Sequence, residues 1–410
     1  MASSNPLSDS STPLPDPSPA TLILLVALTA SAPVSLQIFL PTLPAIKNHF
    51  AVSAGVVQYT LTLAILANAF ATLAYGPLSD RFGRRPVLLG GLTLFVAGSI
   101  AAIFANQIHL LIAARILQSA GAAAGLVLAR TIIRDLYDTE RAARAIAYLT
   151  MAMVVAPMIS PTIGALLIDA FGWRAVFVAL AGFAVVLCLW AYTSLAETRP
   201  SASASGNGVG LVTGAIMLLK RPQFLAFTFQ STFAISTFFS FLAGAAYFMV
   251  DVLGRTATEY GLYFMMVSGC YMVGNFLSAR TVRHFGLERL IITGSSLSFG
   301  AVILSLILLV NGYWEPLSLF APVSLAAIGN GLSIPNSMAG AMSIDRNLAG
   351  TASGVLGFSQ MFFSALVAQA VGELENGTPY PMAWFMVVCA ALSLGGYLAA
   401  RFLPKSQRCR

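Results

Sequence analysis

Three groups of residues carry the chemistry open to this sequence. The run Gly76-Pro-Leu-Ser-Asp80-Arg81-Phe-Gly83-Arg84-Arg85-Pro86 sets one carboxylate among three guanidiniums. Such groups form charge-assisted hydrogen bonds, which can hold and release without breaking a covalent bond. Gly83 permits a tight turn, and Pro86 suits the start of a following helix. A solvated loop that only orients the chain is the alternative. Second, Arg115 and Gln118 interrupt the apolar run Leu111-Ile-Ala-Ala-Arg115-Ile-Leu-Gln118-Ser-Ala-Gly121. A charge inside an apolar span is costly unless it reaches water or partners, so Arg115 marks function or internal structure. Third, Ala156-Pro157-Met-Ile-Ser160-Pro161-Thr-Ile-Gly164-Ala165 mixes small residues with prolines, which lets helices pack closely and bend. The sequence has no phosphate-cradling glycine loop, metal-spaced His/Cys cluster or nucleophile elbow. An enzyme is therefore not expected, nor a metal or cofactor.

The elements that must position these residues lie in a chain of 410 residues, 58% hydrophobic and only 9% charged. A soluble domain carries about 25% charged residues, so a soluble enzyme and a secreted disulfide scaffold are excluded as classes. Cys188, Cys270 and Cys389 sit in apolar runs and Cys409 near the end, which shows no disulfide framework. Apolar runs long enough to cross a bilayer fall at 20–46, 54–77, 87–105, 109–133, 145–168 and 175–195, then at 223–249, 258–280, 288–310, 316–340, 349–372 and 381–402. Lipid requires every backbone group to be satisfied within its segment, so the spans are expected to be helices. Residues 1–19, rich in Ser and Pro without a basic start, read as a solvated tail rather than a signal peptide. The stretch 197–222 contains Ser-Ala-Ser-Ala-Ser-Gly-Asn-Gly and reads as a flexible linker. The expected organisation is two six-helix bundles, 20–196 and 223–402, with a second tail at 403–410.

Charge orients this bundle. Loops after the even-numbered spans hold Arg81, Arg84, Arg85, Arg134, Arg141, Arg144, Arg199, Lys220, Arg221, Arg280, Arg283, Arg289, Arg346, Arg401, Lys405, Arg408 and Arg410. The opposite side holds only Lys47, Arg174 and Arg255. The positive-inside rule then places both termini and the linker in the cytoplasm. The basic charge is a topology signal, and a nucleic-acid partner is not expected. An internal repeat supports the duplication: at an offset of 203, Phe82-Gly83 matches Phe285-Gly286, and Arg81 meets His284. Repeated halves are how many secondary transporters are built, with the substrate site near the midplane between them.

The Gly76–Pro86 run closely resembles the signature between the second and third spans of the major facilitator superfamily. That resemblance implies that Asp80 helps close the cytoplasmic side by bonding toward the start of span 11, where a helix dipole favours anions. It also implies that Arg84 reaches an acid at the end of span 4, for which Asp135 is the candidate. Arg115 resembles the superfamily's span-4 arginine, which is linked to proton coupling. Pro157, Ser160, Pro161 and Gly164 resemble the antiporter motif of drug-exporting members, with Ala and Ser replacing some glycines. With Arg130-Thr-Ile-Ile-Arg134-Asp135, Gln58-Tyr-Thr-Leu-Thr and Leu40-Pro41-Thr-Leu-Pro44, the first half is similar to the Bcr/CflA branch of bacterial multidrug exporters.

One position departs from that branch. Gln37 stands where an acid is expected before the Leu-Pro-x-Leu-Pro segment, and no acid lies mid-span elsewhere. A neutral amide hydrogen-bonds but does not carry a proton, and a guanidinium does not release one. His49, His109 and His284 fall in loops or at span ends. If coupling exists, Asp80 and Asp135 are the acids left to carry it. Candidates for the substrate cavity are Gln37, Asn68, Arg115, Gln118, Met151, Phe233, Phe238, Asn275, Asn330, Asn336 and Gln360, since Met and Phe suit adaptable surfaces. The scarcity of acids fits neutral, zwitterionic or anionic lipophilic substrates.

The expectation is a monomeric, multi-pass protein of the bacterial inner membrane whose partners are a small molecule and the lipid bilayer, with protons as the candidate coupling ion. It would export small lipophilic compounds or antibiotics by alternating access, as a proton antiporter. The alternative is a proton-independent facilitator or importer of one metabolite, which Gln37 favours. A non-transporting sensor would add a cytoplasmic module, and the tails and linker are too short for one.

Overall fold

The computed structural model describes residues 19–198, 211–345 and 348–401. The expected tails and central linker, with Arg199, Arg346, Lys405, Arg408 and Arg410, lie wholly or largely outside these residues. Among the described residues there is no strand, and twelve helices are long and apolar enough to cross a membrane.

The first span is broken: α1 (Pro19–Gln37) leads through a 3₁₀ turn at Leu40–Thr42 into α2 (Leu43–Phe50). Pro41 and Pro44 lack the amide protons that a continuous helix needs, so the chain re-initiates at each. The rest of the first half comprises α3 (Ala54–Phe82), α4 (Arg84–Ile103), α5 (Ile108–Leu136), α6 (Thr139–Phe171) and α7 (Arg174–Ser194). A short helix α8 (Leu211–Leu219) forms inside the stretch read as linker. The second half comprises α9 (Pro222–Tyr247), α10 (Ala257–Phe285), α11 (Leu287–Val310), α12 (Pro316–Ser343), α13 (Ala349–Glu373) and α14 (Tyr380–Arg401). A π-helical turn at Phe248–Val252 extends α9.

The halves repeat each other. α5 packs on α1, α3 and α4 as α12 packs on α9, α10 and α11, and α4 meets α7 as α11 meets α14. The repeat seen at Gly83 and Gly286 is structural: each is the single residue between two helices, with φ of +97° and +77°. That region of backbone space is nearly closed to side chains bearing a Cβ. The halves meet chiefly along two pairs, α3 with α13 and α6 with α10, with smaller contacts from the Leu40–Thr42 turn to α9 and α10 and from α2 to α9.

With an even number of crossings, the first span begins and the last ends on one side, the terminal end; the other is the far end. At the far end one apolar core runs through both halves, joining Phe39, Leu43, Val57 and Phe177 to Phe241, Phe248, Tyr260 and Phe320. At the terminal end each half keeps its own core, around Leu28, Leu88 and Leu128 in the first and Leu218, Phe224 and Leu356 in the second. Outward faces carry exposed apolar side chains such as Ile100, Val186, Leu189 and Ile307, the surface a helix presents to lipid.

Candidate functional site

A cavity of about 250 Å³ lies between the halves, where both contribute helices. From the first half α1 supplies Pro33, Leu36 and Gln37, α3 supplies Leu61, and α6 supplies Met153 and Pro157. From the second half come Phe238 and Phe239 of α9, Val267, Ser268 and Tyr271 of α10, Asn330 of α12 and Met361 of α13, among others. Its polar groups are neutral: the side chains of Gln37, Ser268, Tyr271 and Asn330. Asn330 is already engaged, donating from Nδ2 to the Ala234 carbonyl at 3.4 Å. Gln37 is a lining residue whose buried Oε1 has no hydrogen-bond partner among the described residues. A mostly apolar, concave space with a few convergent polar groups is the usual form of a small-molecule site.

The far end of this cavity is sealed by ties between the halves. Lys47 Nζ bonds Asp251 Oδ2 at 2.8 Å. The backbone amide of Thr258 donates to Asp169 Oδ2 at 2.9 Å, and its hydroxyl donates to the same oxygen at 2.5 Å. Thr162 Oγ1 donates to the Gly261 carbonyl at 2.9 Å, and Gln369 Nε2 to the Gly55 carbonyl at 3.1 Å.

Arg115 does not line the cavity. It is fully buried in the first half, where Nη1 donates to Gln118 Oε1 and to the Ser35 carbonyl at 3.3 Å, and Nε donates to the Thr60 carbonyl at 3.4 Å. The Phe39 ring lies 4.1 Å from its guanidinium carbon, a cation–π contact. Gln118 passes the chain on to Ser99 Oγ at 2.8 Å. Every partner is neutral, and Nη2 has none among the described residues.

At the terminal end Arg84 stands between two acids. Nη1 bonds Asp80 Oδ1 at 2.5 Å and Nε bonds Asp135 Oδ2 at 3.2 Å, with Ser79 Oγ accepting at 2.7 Å. Among the described residues Asp80 makes no bond to the start of α13, where the superfamily resemblance placed it: its carboxylate bonds Arg84, and the Asp80 side chain is 64% exposed. At this end Leu348, Ala352 and Leu356, at the start of α13, pack into the second half's own core. Arg85 Nη2 donates to the Tyr192 carbonyl at 2.7 Å, and the Arg81 guanidinium rests 5.1 Å from the Phe82 ring. Gly76 accepts from Ser79 Oγ through its carbonyl at 2.8 Å. The sequence reading missed Glu197, whose Oε1 and Oε2 accept from the backbone amides of Arg84 and Arg85 at 2.8 and 3.2 Å. It neutralises the start of α4 from the end of the first half, and its distance along the chain left no local signal.

In α6, Pro157 lines the cavity, Ser160 Oγ donates to the Ala156 carbonyl at 2.6 Å, and Pro161 is buried. A Cβ on Gly164 would lie 2.2 Å from the Ile38 carbonyl, so only glycine lets α6 cross α1 there.

Of the expected cavity residues, Gln37, Phe238 and Asn330 are on the wall and the others are not. Met151 is 58% exposed on α6, and Met153 lines the space instead, because two positions along a helix turn a side chain by about 200°. Gln118 belongs to the Arg115 cluster. Phe233 packs 4.5 Å from Phe229 and 6.0 Å from Phe363. Asn275 Nδ2 donates one turn back to the Tyr271 carbonyl at 2.9 Å, and Asn336 Nδ2 donates to Ser278 Oγ at 2.8 Å. Asn68 and Gln360 are buried off the wall, each with an unpaired amide nitrogen among the described residues. Ser268 and Tyr271 carried no signal in the sequence beyond their place in a span.

Two pseudo-symmetric six-helix halves around a central cavity define a membrane protein built on the plan of a secondary transporter. The profile described as Major Facilitator Superfamily matches residues 25–368, and the chain belongs to that superfamily. The Bicyclomycin resistance protein homolog of Haemophilus influenzae is 25% identical over 379 residues, covering 92% of this chain and 94% of that protein. Multidrug resistance protein D of Escherichia coli is 30% identical over 366 residues, covering 87% and 89%. Among solved structures, a bacterial homologue of the human lysosomal transporter Spinster, in an inward-facing and occupied conformation, superposes with a TM-score of 0.76 at 15% identity, covering 95% of this chain and 98% of that one. The last likeness is one of fold.

Proposed function

We propose that the protein exports small lipophilic compounds, antibiotics among them, across a bacterial inner membrane by rocking of its two halves about the central cavity. The observation that carries this reading is an apolar cavity built by both halves and sealed at the far end by ties between them. The resistance proteins it resembles along nearly their whole length support export as the direction. The termini and α8 are cytoplasmic in this reading, because Arg81, Arg84, Arg85, Arg141, Arg144, Arg280, Arg283 and Arg289 cluster at the terminal end. The conformation described is then closed to the outside. The protein acts as a monomer, with no nucleic-acid partner, and protons are the driving ion. Expression in a host stripped of its own exporters should raise the tolerated concentration of bicyclomycin and of unrelated lipophilic drugs; an unchanged panel would remove the export reading.

Gln37 favours a second reading. The cavity wall offers no carboxylate to exchange a proton with the substrate, which suits a proton-independent facilitator. Transport into proteoliposomes with and without an imposed pH gradient separates the two, and indifference to the gradient would exclude antiport.

A further inference from the structure

The central cavity is fringed by positive charge that no acid cancels. Arg115 is held by the carbonyls of Ser35 and Thr60, and the next residue after each, Leu36 and Leu61, is on the cavity wall. The guanidinium is thus one layer of side chains behind the wall. Its partners are two carbonyls, an amide oxygen and a ring, which solvate the charge without neutralising it. A second guanidinium approaches through α6: Arg130 Nη2 donates to Met153 Sδ at 2.9 Å, and Met153 is itself a wall residue. No ion pair involves Arg115 or Arg130 among the described residues. The acids among the described residues all lie at the two ends, Asp169, Asp251, Glu259, Glu315, Glu373 and Glu375 at the far one and Asp80, Asp135, Asp138, Glu140, Glu197, Glu288 and Asp345 at the terminal one. Lys47 at the far end has its charge met by Asp251.

A fixed charge behind a low-dielectric wall acts on any ligand across that wall, because little water intervenes to screen it. A ligand that loses its hydration on entering an apolar cavity regains more from this field if it is an anion than if it is a cation. Gln37 on the wall, its buried amide oxygen unpaired among the described residues, is polar without adding a compensating negative charge.

We propose that the cavity selects lipophilic anions and neutral amphiphiles over lipophilic cations, with Arg115 and Arg130 setting the preference and the neutral Gln37 preserving it. This rests on the central cavity being the substrate site. The test uses three aryl probes of one shape and different charge, biphenylcarboxylate, biphenylcarboxamide and biphenylcarboxamidinium, titrated calorimetrically into the full-length protein in lipid nanodiscs. The carboxylate should bind about tenfold or more tightly than the amidinium, with the neutral amide between them or level with the carboxylate. Arg130→Gln, a partly buried site on the fringe, should narrow that gap. Gln37→Glu should close or reverse it by supplying the missing negative charge. Arg115→Gln should do the same as Arg130→Gln, and the other two variants carry the test should it fail to fold. An amidinium that binds wild type as tightly as the carboxylate overturns the proposal, as does an order unmoved by Gln37→Glu. Failure of all three probes to bind would remove the central-site reading itself, and the charge preference with it.

Discussion

At the scale of single residues, the contrast between Gln37 and Arg115 defines what the site can do. Gln37 faces the cavity and is neutral, while Arg115 is charged and stands behind it. Gln37→Asp should make transport respond to a pH gradient by several-fold, since a carboxylate on the wall would alternate between the two sides of the membrane; a flat response in proteoliposomes would show that the remaining relay is missing. Asp80→Asn should cut transport to a small fraction of wild type while leaving the amount in the membrane unchanged, by removing one of two acids on Arg84. Full transport by that variant would take Asp80 out of the cycle. The motif residues were legible because charges and glycines stand out against an apolar chain. Most cavity residues were not. The helix faces turned to lipid and those turned to the cavity are both apolar, so periodicity does not separate them, and Met151 and Met153 look alike until the helix is placed.

At the scale of elements, the twelve spans were legible because hydrocarbon thickness dictates their length. Their ends were not: α3, α6 and α10 each run several residues beyond the apolar stretch, through Arg81, Arg141 and Arg283, since a helix keeps its backbone bonded past the edge of the lipid. α8 escaped notice because its residues were absorbed into a polar gap. Within the first half, crossings are made backbone against backbone. A Cβ added at Gly121 would lie 2.3 Å from the Phe95 amide nitrogen of α4. Gly121→Ala should therefore force α4 and α5 apart and cost about 1–3 kcal/mol, seen as a lower midpoint of thermal unfolding in detergent. An unchanged midpoint would mean that this crossing relaxes freely.

At the scale of the whole molecule, the two halves and their common plan were readable from the linker, the charge bias and the Phe-Gly repeat. Which end is closed was not, because closure depends on pairs far apart in sequence, such as Lys47 with Asp251 and Asp169 with Thr258. The Lys47–Asp251 pair is partly shielded, with side chains 25% and 20% exposed. Lys47→Gln should shift the balance toward opening of the far end by up to about fivefold, given about 0.2–1 kcal/mol for one such pair. The rate at which a thiol reagent modifies an engineered Ala54→Cys would report it, and an unaltered rate would assign closure to the apolar core instead.

Asp251 owes its position to chain length as much as to its own identity. It sits in the π-helical turn Phe248–Val252, where Leu253 N bonds the Phe248 carbonyl at 3.0 Å, five residues back. Such a turn holds one residue more than an α-helical turn in nearly the same rise. Deleting a single residue there would rewind the segment and swing the remainder of the turn by about 100°, leaving the carboxylate in the chain but aimed away from Lys47. The far-side closure is thus encoded partly as a count, and a homologue that keeps the aspartate but lacks the extra residue would be unable to make the same bond.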